Sequence, residues 1–401
     1  MMEQQPEKLW NRSFILLILA NWFTFMSFQM LIPTLPPYME DIGGSKTQVG
    51  LVTTLFSIGA ILSRPFIGHI LQSQARKVLV LVGSISLLII TSLYSVTTII
   101  VVFLLFRFIH GLAWGWSTTT NGTAAVDLVP KKKIGEGMGY FGLSVTIGMI
   151  IAPSLGIFLF QNYDFNILII ASVSLGLIAL TLFSFTKFIT PEEVHKKTFD
   201  MKSFSFFGSL IEKPSWYPAL VSFFNTFGYG AIVTFIVIYG EEKNIDHIYL
   251  FYLFNATFAT IARPITGRFF DRRGPWLVIM ICSIFAFAGM WTIAVAENFI
   301  YLIIAGILFG IGFGSMMPAF QAWIISKTTQ ERSGIANGMY YSSIDLGIGL
   351  SALLLGVISN QLGLETASLF KISSASFLLV LLLTYFDYRK NKHIPWVEAS
   401  E

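Results

Sequence analysis

The stretch Arg263-Pro264-Ile265-Thr266-Gly267-Arg268-Phe269-Phe270-Asp271-Arg272-Arg273-Gly274 closes one long apolar run just before the next begins. It has an earlier copy in Arg64-Pro65-Phe66-Ile67-Gly68, which continues to Gln72 and Arg76-Lys77. Arg, Pro and Gly match at a constant offset of 199 residues, half the chain. The offset holds elsewhere. Gly111 and Gly115 answer to Gly310 and Gly314, and Gly135, Gly139 and Gly148 to Gly334, Gly338 and Gly347. One register kept through loops and apolar runs alike means an internal duplication.

Composition sets the solvent. Of 401 residues, 54% are hydrophobic and 12% charged, against about 25% charged in a soluble chain. The mean hydropathy is +0.70. Such a chain is a polytopic membrane protein. Its net charge of +4 is no nucleic-acid signal, because the basic residues sit in short loops between apolar runs. The single cysteine, Cys282, lies inside an apolar run, so neither an intramolecular disulfide nor a cysteine metal site is expected. Lys8 and Arg12 precede the first run with no small-residue cleavage site after it. That run reads as a span, not a removed signal.

About 20 mainly apolar residues cross a bilayer as helix. Twelve runs qualify: roughly 14–38, 48–71, 77–96, 98–126, 134–160, 165–187, 215–240, 247–270, 276–296, 299–325, 334–360 and 367–387. The expected fold is all-α, with twelve transmembrane helices in two pseudo-symmetric six-helix bundles. Residues 1–187 form the first bundle, 188–214 a cytoplasmic linker, and 215–401 the second bundle with a short cytoplasmic tail. Of the 26 Lys and Arg, Lys46, Lys243 and Lys371 fall on one side and Arg64, Arg107 and Arg263 within spans; the remaining 20 share the side of the termini. The positive-inside rule therefore puts both ends in the cytoplasm.

Twelve spans, a six-plus-six duplication and the Gly-x3-Asp-Arg-x-Gly turn ending at Gly274 resemble the major facilitator superfamily. Two further motifs sharpen the resemblance. Leu105-Phe106-Arg107-Phe108-Ile109-His110-Gly111-Leu112-Ala113-Trp114-Gly115 is similar to the family's span-4 arginine motif. Gly148-Met149-Ile150-Ile151-Ala152-Pro153-Ser154-Leu155-Gly156 is similar to the span-5 glycine-proline motif associated with antiporters. Together they resemble the 12-span drug:proton antiporter-like exporters. The resemblance implies a conformational role for Arg64, Gly68, Gln72, Arg263, Gly267, Asp271, Arg272, Gly274, Gly148, Pro153 and Gly156. In the family the loop carboxylate latches one conformation by facing a helix amino end, which needs negative charge. Asp271 has that charge; Gln72, its first-half counterpart, lacks it, and Ala75 stands where the second half has Gly274.

Three polar groups stand deep in spans. Arg107 lies nine residues into span 4, roughly 14 Å of helix from the outer end. A cation there faces a wet cavity or a partner, and the resemblance implies proton coupling or substrate binding; a structural ion pair is the other reading. His110 follows on the same face, with Trp114 one turn on; it can shuttle protons or serve only as a hydrogen-bond partner. Asp345, eleven residues into span 11, has Thr146 as its duplicate. It can carry a proton or be satisfied by Ser342, Ser343 or a tyrosine. Asp127 is expected to pair with Arg76 across the motif loop. In this fold spans 1, 4, 7 and 10 line a central cavity, which makes Asn21, Phe25, Gln29, Trp114, Asn225, Tyr229, Met317 and Gln321 candidate binding groups, or ordinary helix packing. Aromatic, amide and thioether groups suit an amphipathic organic substrate.

No Walker A loop, zincin helix or nucleophile elbow is present. The expectation is a secondary transporter, not an enzyme, without cofactor or metal. It would work as a monomer in a plasma membrane of bacterial type. It would export a small organic compound against protons. Uptake by symport, or a non-transporting sensor or scaffold, are the alternatives.

Overall fold

The pattern of Ser, Thr and large aliphatics inverts the soluble rule. On the helix Arg76–Leu93, Val78, Val82, Ile85 and Ile89 stand outward at helical spacing, while Ser84 and Thr91 are buried. An apolar outer face with polar groups inside is stable only when the surroundings are hydrocarbon.

The computed structural model describes residues 8–130, 133–189, 204–328 and 332–391. All regular elements among them are helical. We number them α1 (Arg12–Gln29), α2 (Leu35–Asp41), α3 (Lys46–Ile70), α4 (Arg76–Leu93), α5 (Ile100–Leu128), α6 (Ile134–Asn162), α7 (Phe165–Phe185), α8 (Phe206–Leu210), α9 (Trp216–Glu242), α10 (Tyr249–Arg273), α11 (Pro275–Ala294), α12 (Phe299–Ile325), α13 (Ser333–Leu362) and α14 (Thr366–Asn391). Among the described residues, ten helices are long and apolar enough to cross a membrane. The expected first and eighth spans, α1 and α10, are not among those ten. Their sequences show why: α10 ends in Arg263, Arg268, Asp271, Arg272 and Arg273, and α1 carries Arg12, Asn21 and Gln29. Of the expected linker, residues 190–203 lie outside the described ones, as do Lys131, Lys132 and the side chain of Asp271.

The helices group into two compact units, one running to Leu31 and from Leu55 to Ser209, the other comprising Ile32–Thr54 and everything from Leu210. The segment Ile32–Thr54 thus packs with the second unit although it precedes residue 187. There Thr54 Oγ1 donates to the Gly349 carbonyl at 2.8 Å, and Thr53 Oγ1 lies 3.2 Å from Thr234 Oγ1. Lys46 Nζ bridges Glu40 at 2.8 Å and Glu242 at 2.9 Å.

Each unit repeats one packing scheme. In the first, α1 packs on α6 and α7, and α4 on α5 and α7; in the second, α9 packs on α13 and α14, and α11 on α12 and α14. The repeat reaches single atoms. A Cβ at Gly111 would run into the Phe56 carbonyl oxygen, and one at Gly310 into the Asn255 carbonyl oxygen. Phe56 and Asn255 are themselves 199 apart. A Cβ at Gly148 would stand 2.8 Å from Phe25 Cβ, and α1 and α6 approach again where Gly156 meets the Met30 carbonyl. The glycine-proline stretch, with Pro153 inside α6, therefore seats that helix on α1.

The two copies of the loop motif diverge. Gly274 ends α10 with φ of +75° and its N–H donates to the Phe270 carbonyl at 2.7 Å, and Pro275 starts α11 at once. A positive φ with extended ψ is open to glycine almost alone. Its counterpart Ala75 has φ of −64°, which any residue adopts. There the turn is held by side chains instead. Arg76, 5% exposed, donates from Nε to Asp127 Oδ2 at 2.6 Å and from its terminal nitrogen to the Leu71 carbonyl. The expected Arg76–Asp127 pair is present. Gln72 is exposed.

Candidate substrate-binding faces

In the first unit the polar residues of α1 and α5 meet. Asn21 is fully buried; its Nδ2 donates to Ser144 Oγ of α6 at 3.1 Å, and its Oδ1 accepts from Asn121 Nδ2 at 3.3 Å. This expected binding group is thus tied into a three-helix polar network. One and two turns along α1, Phe25 stands edge-on to Trp114, centroids 4.9 Å apart, and Phe28 stacks on Trp114 at 3.7 Å. Phe28 also meets His110 edge-on at 5.3 Å. Gln29 is buried beside them in sequence.

Arg107 is 2% exposed, with its guanidinium carbon 4.7 Å from the centroid of Phe56 on α3. A delocalised cation over a ring face is attracted by the ring quadrupole, most strongly where water is excluded. The guanidinium also stands beside the side chain of Tyr94. Tyr94 Oη in turn lies 3.1 Å from His110 Nδ1. So the structure brings Arg107, His110 and Trp114 together, as the helical spacing predicts. It adds Tyr94, which the sequence reading missed. Tyr94 sits in a short turn after α4, outside any periodic pattern that could have pointed to it.

In the second unit α9 and α12 face each other through two matched turns. Asn225 is fully buried, with Nδ2 3.8 Å from Met317 Sδ; one turn on, Tyr229 stacks on Phe313 at 4.4 Å. Phe309 continues the stack, 5.0 Å from Phe313. The fourth member, Gln321, is bonded through Nε2 to Asn337 Oδ1 of α13 at 2.8 Å, and Tyr340 Oη donates to the Met317 carbonyl at 2.9 Å. Phe313, Asn337 and Tyr340 were missed. Phe313 had a signal, since Phe309, Phe313, Met317 and Gln321 recur every fourth residue.

Asp345 is half-buried on α13. The Ser343 hydroxyl, one expected partner, donates to the Tyr340 carbonyl at 2.7 Å and lies 3.1 Å from Ser222 Oγ. Arg263 is half-buried and its Nε donates to the Gly314 carbonyl at 3.3 Å, tying α10 to α12. Arg64 is half-buried on α3; Gly68 and Gly267 border open space. Arg272 lies in the last turn of α10. Among the described residues no cluster of His, Cys, Asp and Glu could hold a metal ion.

Known proteins resemble the chain over nearly its whole length. Multidrug resistance protein MdtG of Klebsiella pneumoniae is 23% identical over 98% of this chain and 96% of its own. An MFS-type transporter of Methanocaldococcus jannaschii is 22% identical over 94% of this chain and 98% of its own. A crystal structure of a variant of the nucleoside transporter NupG superposes with a TM-score of 0.77 at 14% identity, covering 94% of this chain and 99% of that one. The family model of the Major Facilitator Superfamily matches residues 17–352 and 276–399. Helical units of matching internal scheme, apolar outer faces and that match have one reading: the chain belongs to the Major Facilitator Superfamily and is a multi-pass membrane transporter.

Proposed function

We propose that the protein is a proton-driven secondary transporter that exports a small amphipathic organic compound, with twelve spans, both termini in the cytoplasm and the monomer as working unit. The carrying observation is the Arg107 cluster: a permanent cation, 2% exposed within a membrane-spanning helix and set among Phe56, Tyr94 and His110. A charge in that position is costly and is kept where it serves a pathway. The aromatic, amide and thioether groups of both units suit an amphipathic organic molecule, because they offer broad apolar contact with few directional bonds. Export is favoured by the relatives named for multidrug resistance and by the glycine-proline stretch that seats α6 on α1. Asp345 is the proton carrier in this reading, Arg107 its coupling partner or substrate anchor, and His110 an accessory polar group. Asp271 and Gln72 are the two members of a conformational latch, of which one retains charge.

A second reading is proton-coupled uptake of a metabolite, favoured by the fold's likeness to a nucleoside transporter. One experiment separates them. Energised inverted vesicles are given a panel of amphipathic dyes, drugs and metabolites, and proton release from the lumen is followed. Export predicts accumulation inside the vesicle with proton efflux, which an uncoupler abolishes. Accumulation that survives the uncoupler and requires ATP would overturn the proposal.

A further inference from the structure

A polar group sealed inside a helical bundle is normally bonded, because it gives up its hydration and needs a replacement. In the second unit two groups on consecutive helices depart from that rule. Asn225 of α9 is fully buried, and its Oδ1 has no hydrogen-bond partner among the described residues. Tyr252 of α10 is 3% exposed, and its hydroxyl has none either. The Asn225 amide is oriented by its one contact. Its Nδ2 lies 3.8 Å from Met317 Sδ, and a thioether accepts but cannot donate. The oxygen is therefore the end left over. Both groups border the same turns of α12. Tyr229, one turn from Asn225, stacks on Phe313 at 4.4 Å and lies 6.0 Å from Phe309. From α10, Phe251 approaches Phe309 at 6.1 Å, the Asn255 backbone closes on Gly310, and Tyr252 stands beside Tyr229. The result is a flat aromatic wall with an amide oxygen and a phenol at its margins. The fold gains nothing from either polar atom, since a buried group without a partner costs stability that an apolar group of the same shape would not.

We propose that Asn225 and Tyr252 form a specificity subsite for a flat aromatic cargo that carries both an O–H or N–H donor and an oxygen acceptor. The ring lies against Phe309, Phe313 and Tyr229, where offset stacking is favourable. The cargo's donor goes to Asn225 Oδ1, which can only accept. Its acceptor takes the proton of Tyr252. A cargo with donors alone, such as an alkylammonium, leaves that phenolic proton unmet and is bound less well. The subsite deepens the transport function proposed above and rests on it.

The probe is umbelliferone, a fluorescent phenol with a lactone carbonyl, compared with its methyl ether, which keeps the ring and the carbonyl but has no donor. Binding to the full chain in lipid nanodiscs is read by fluorescence anisotropy in mildly acid buffer, where the phenol is un-ionised, and empty nanodiscs correct for partition into lipid. The native protein should bind umbelliferone about tenfold more tightly than the ether, the worth of one hydrogen bond to a buried acceptor. Asn225→Leu should abolish that preference. Tyr252→Phe, which removes a single oxygen, should weaken both probes alike. Neither variant should lower the thermal midpoint of the cargo-free protein, because neither atom is bonded in the fold; a structural role would lower it. Equal affinity of the native protein for the two probes, or no binding of umbelliferone, overturns the inference. So does either variant if it keeps native binding or is destabilised without cargo. The binding measurement needs no gradient. Loss of proton-driven accumulation with the probe preference intact would sink the transport proposal alone, and an active exporter indifferent to the two probes would sink the subsite alone.

Discussion

An arginine inside a membrane-spanning helix is held by its neighbours, and each neighbour makes its removal legible in a different assay. Arg107→Ala takes the cation from beside Phe56 and Tyr94 but leaves the α3–α5 contact at Gly111 in place. The variant should insert and fold yet transport at background level. Arg107→Lys should restore little, because an ammonium lacks the planar face that lies over the ring and the fork that holds more than one acceptor. Full transport by Arg107→Ala, measured as cargo accumulation in vesicles, would leave the residue dispensable. Asp345→Asn keeps shape and loses titration. It should bind and exchange cargo down a gradient but fail to concentrate it; accumulation under a proton gradient in that variant would move the carrier elsewhere. Arg107 and Asp345 were visible in the sequence because a charge within an apolar run is conspicuous. Asn21 and Gln321 were visible as inward-facing, but not what they bond. Ser144 and Asn337 lie on other helices, and helical spacing says which face a residue takes, not which neighbour it meets.

At the scale of a helix, the loop motif's first copy is kept by an ion pair. Arg76 and Asp127 have side chains 6% and 13% exposed, so Asp127→Ala would strand a nearly buried cation. Removing one partner of a buried pair costs roughly 3–5 kcal/mol, and the thermal midpoint in detergent should fall sharply; a midpoint within error of the native value would contradict the pairing. Helix crossings give a second prediction. Gly111→Ala and Gly310→Ala each press a methyl group onto a carbonyl oxygen of the partner helix. Overpacking of this sort costs about 1–3 kcal/mol. The two variants should lose similar stability, since the crossings are duplicates; a cost confined to one would break the equivalence. The sequence marked these glycines as duplicates of each other; that each takes a carbonyl oxygen of a neighbouring helix came only with the structure. The boundaries of α1 and α10 as membrane spans were less legible, because their polar residues dilute the apolar signal that marks the other ten.

For the whole molecule, the two units and their shared scheme followed from a single offset in the sequence, as did the apolar outer face from composition. What the sequence did not disclose is that Ile32–Thr54 packs with the second unit, since nothing in the segment's own residues says which neighbours it has. Orientation remains a matter of charge. In intact cells, in a Cys282→Ser background, Lys77→Cys should resist an impermeant maleimide and Lys371→Cys should react; the reverse pattern would turn the molecule over. The divergent turns at Ala75 and Gly274 bear on how the two halves can change over generations. At position 274 the backbone angle itself refuses a side chain, so nearly every substitution from glycine carries a penalty. At position 75 the backbone is permissive, and the constraint has moved to the Arg76–Asp127 pair, which two coordinated changes could replace. A saturation library should therefore show position 274 closed and position 75 open. Once duplicated, the first copy of the turn is free to wander as long as its ion pair holds, while the second stays bound to one residue.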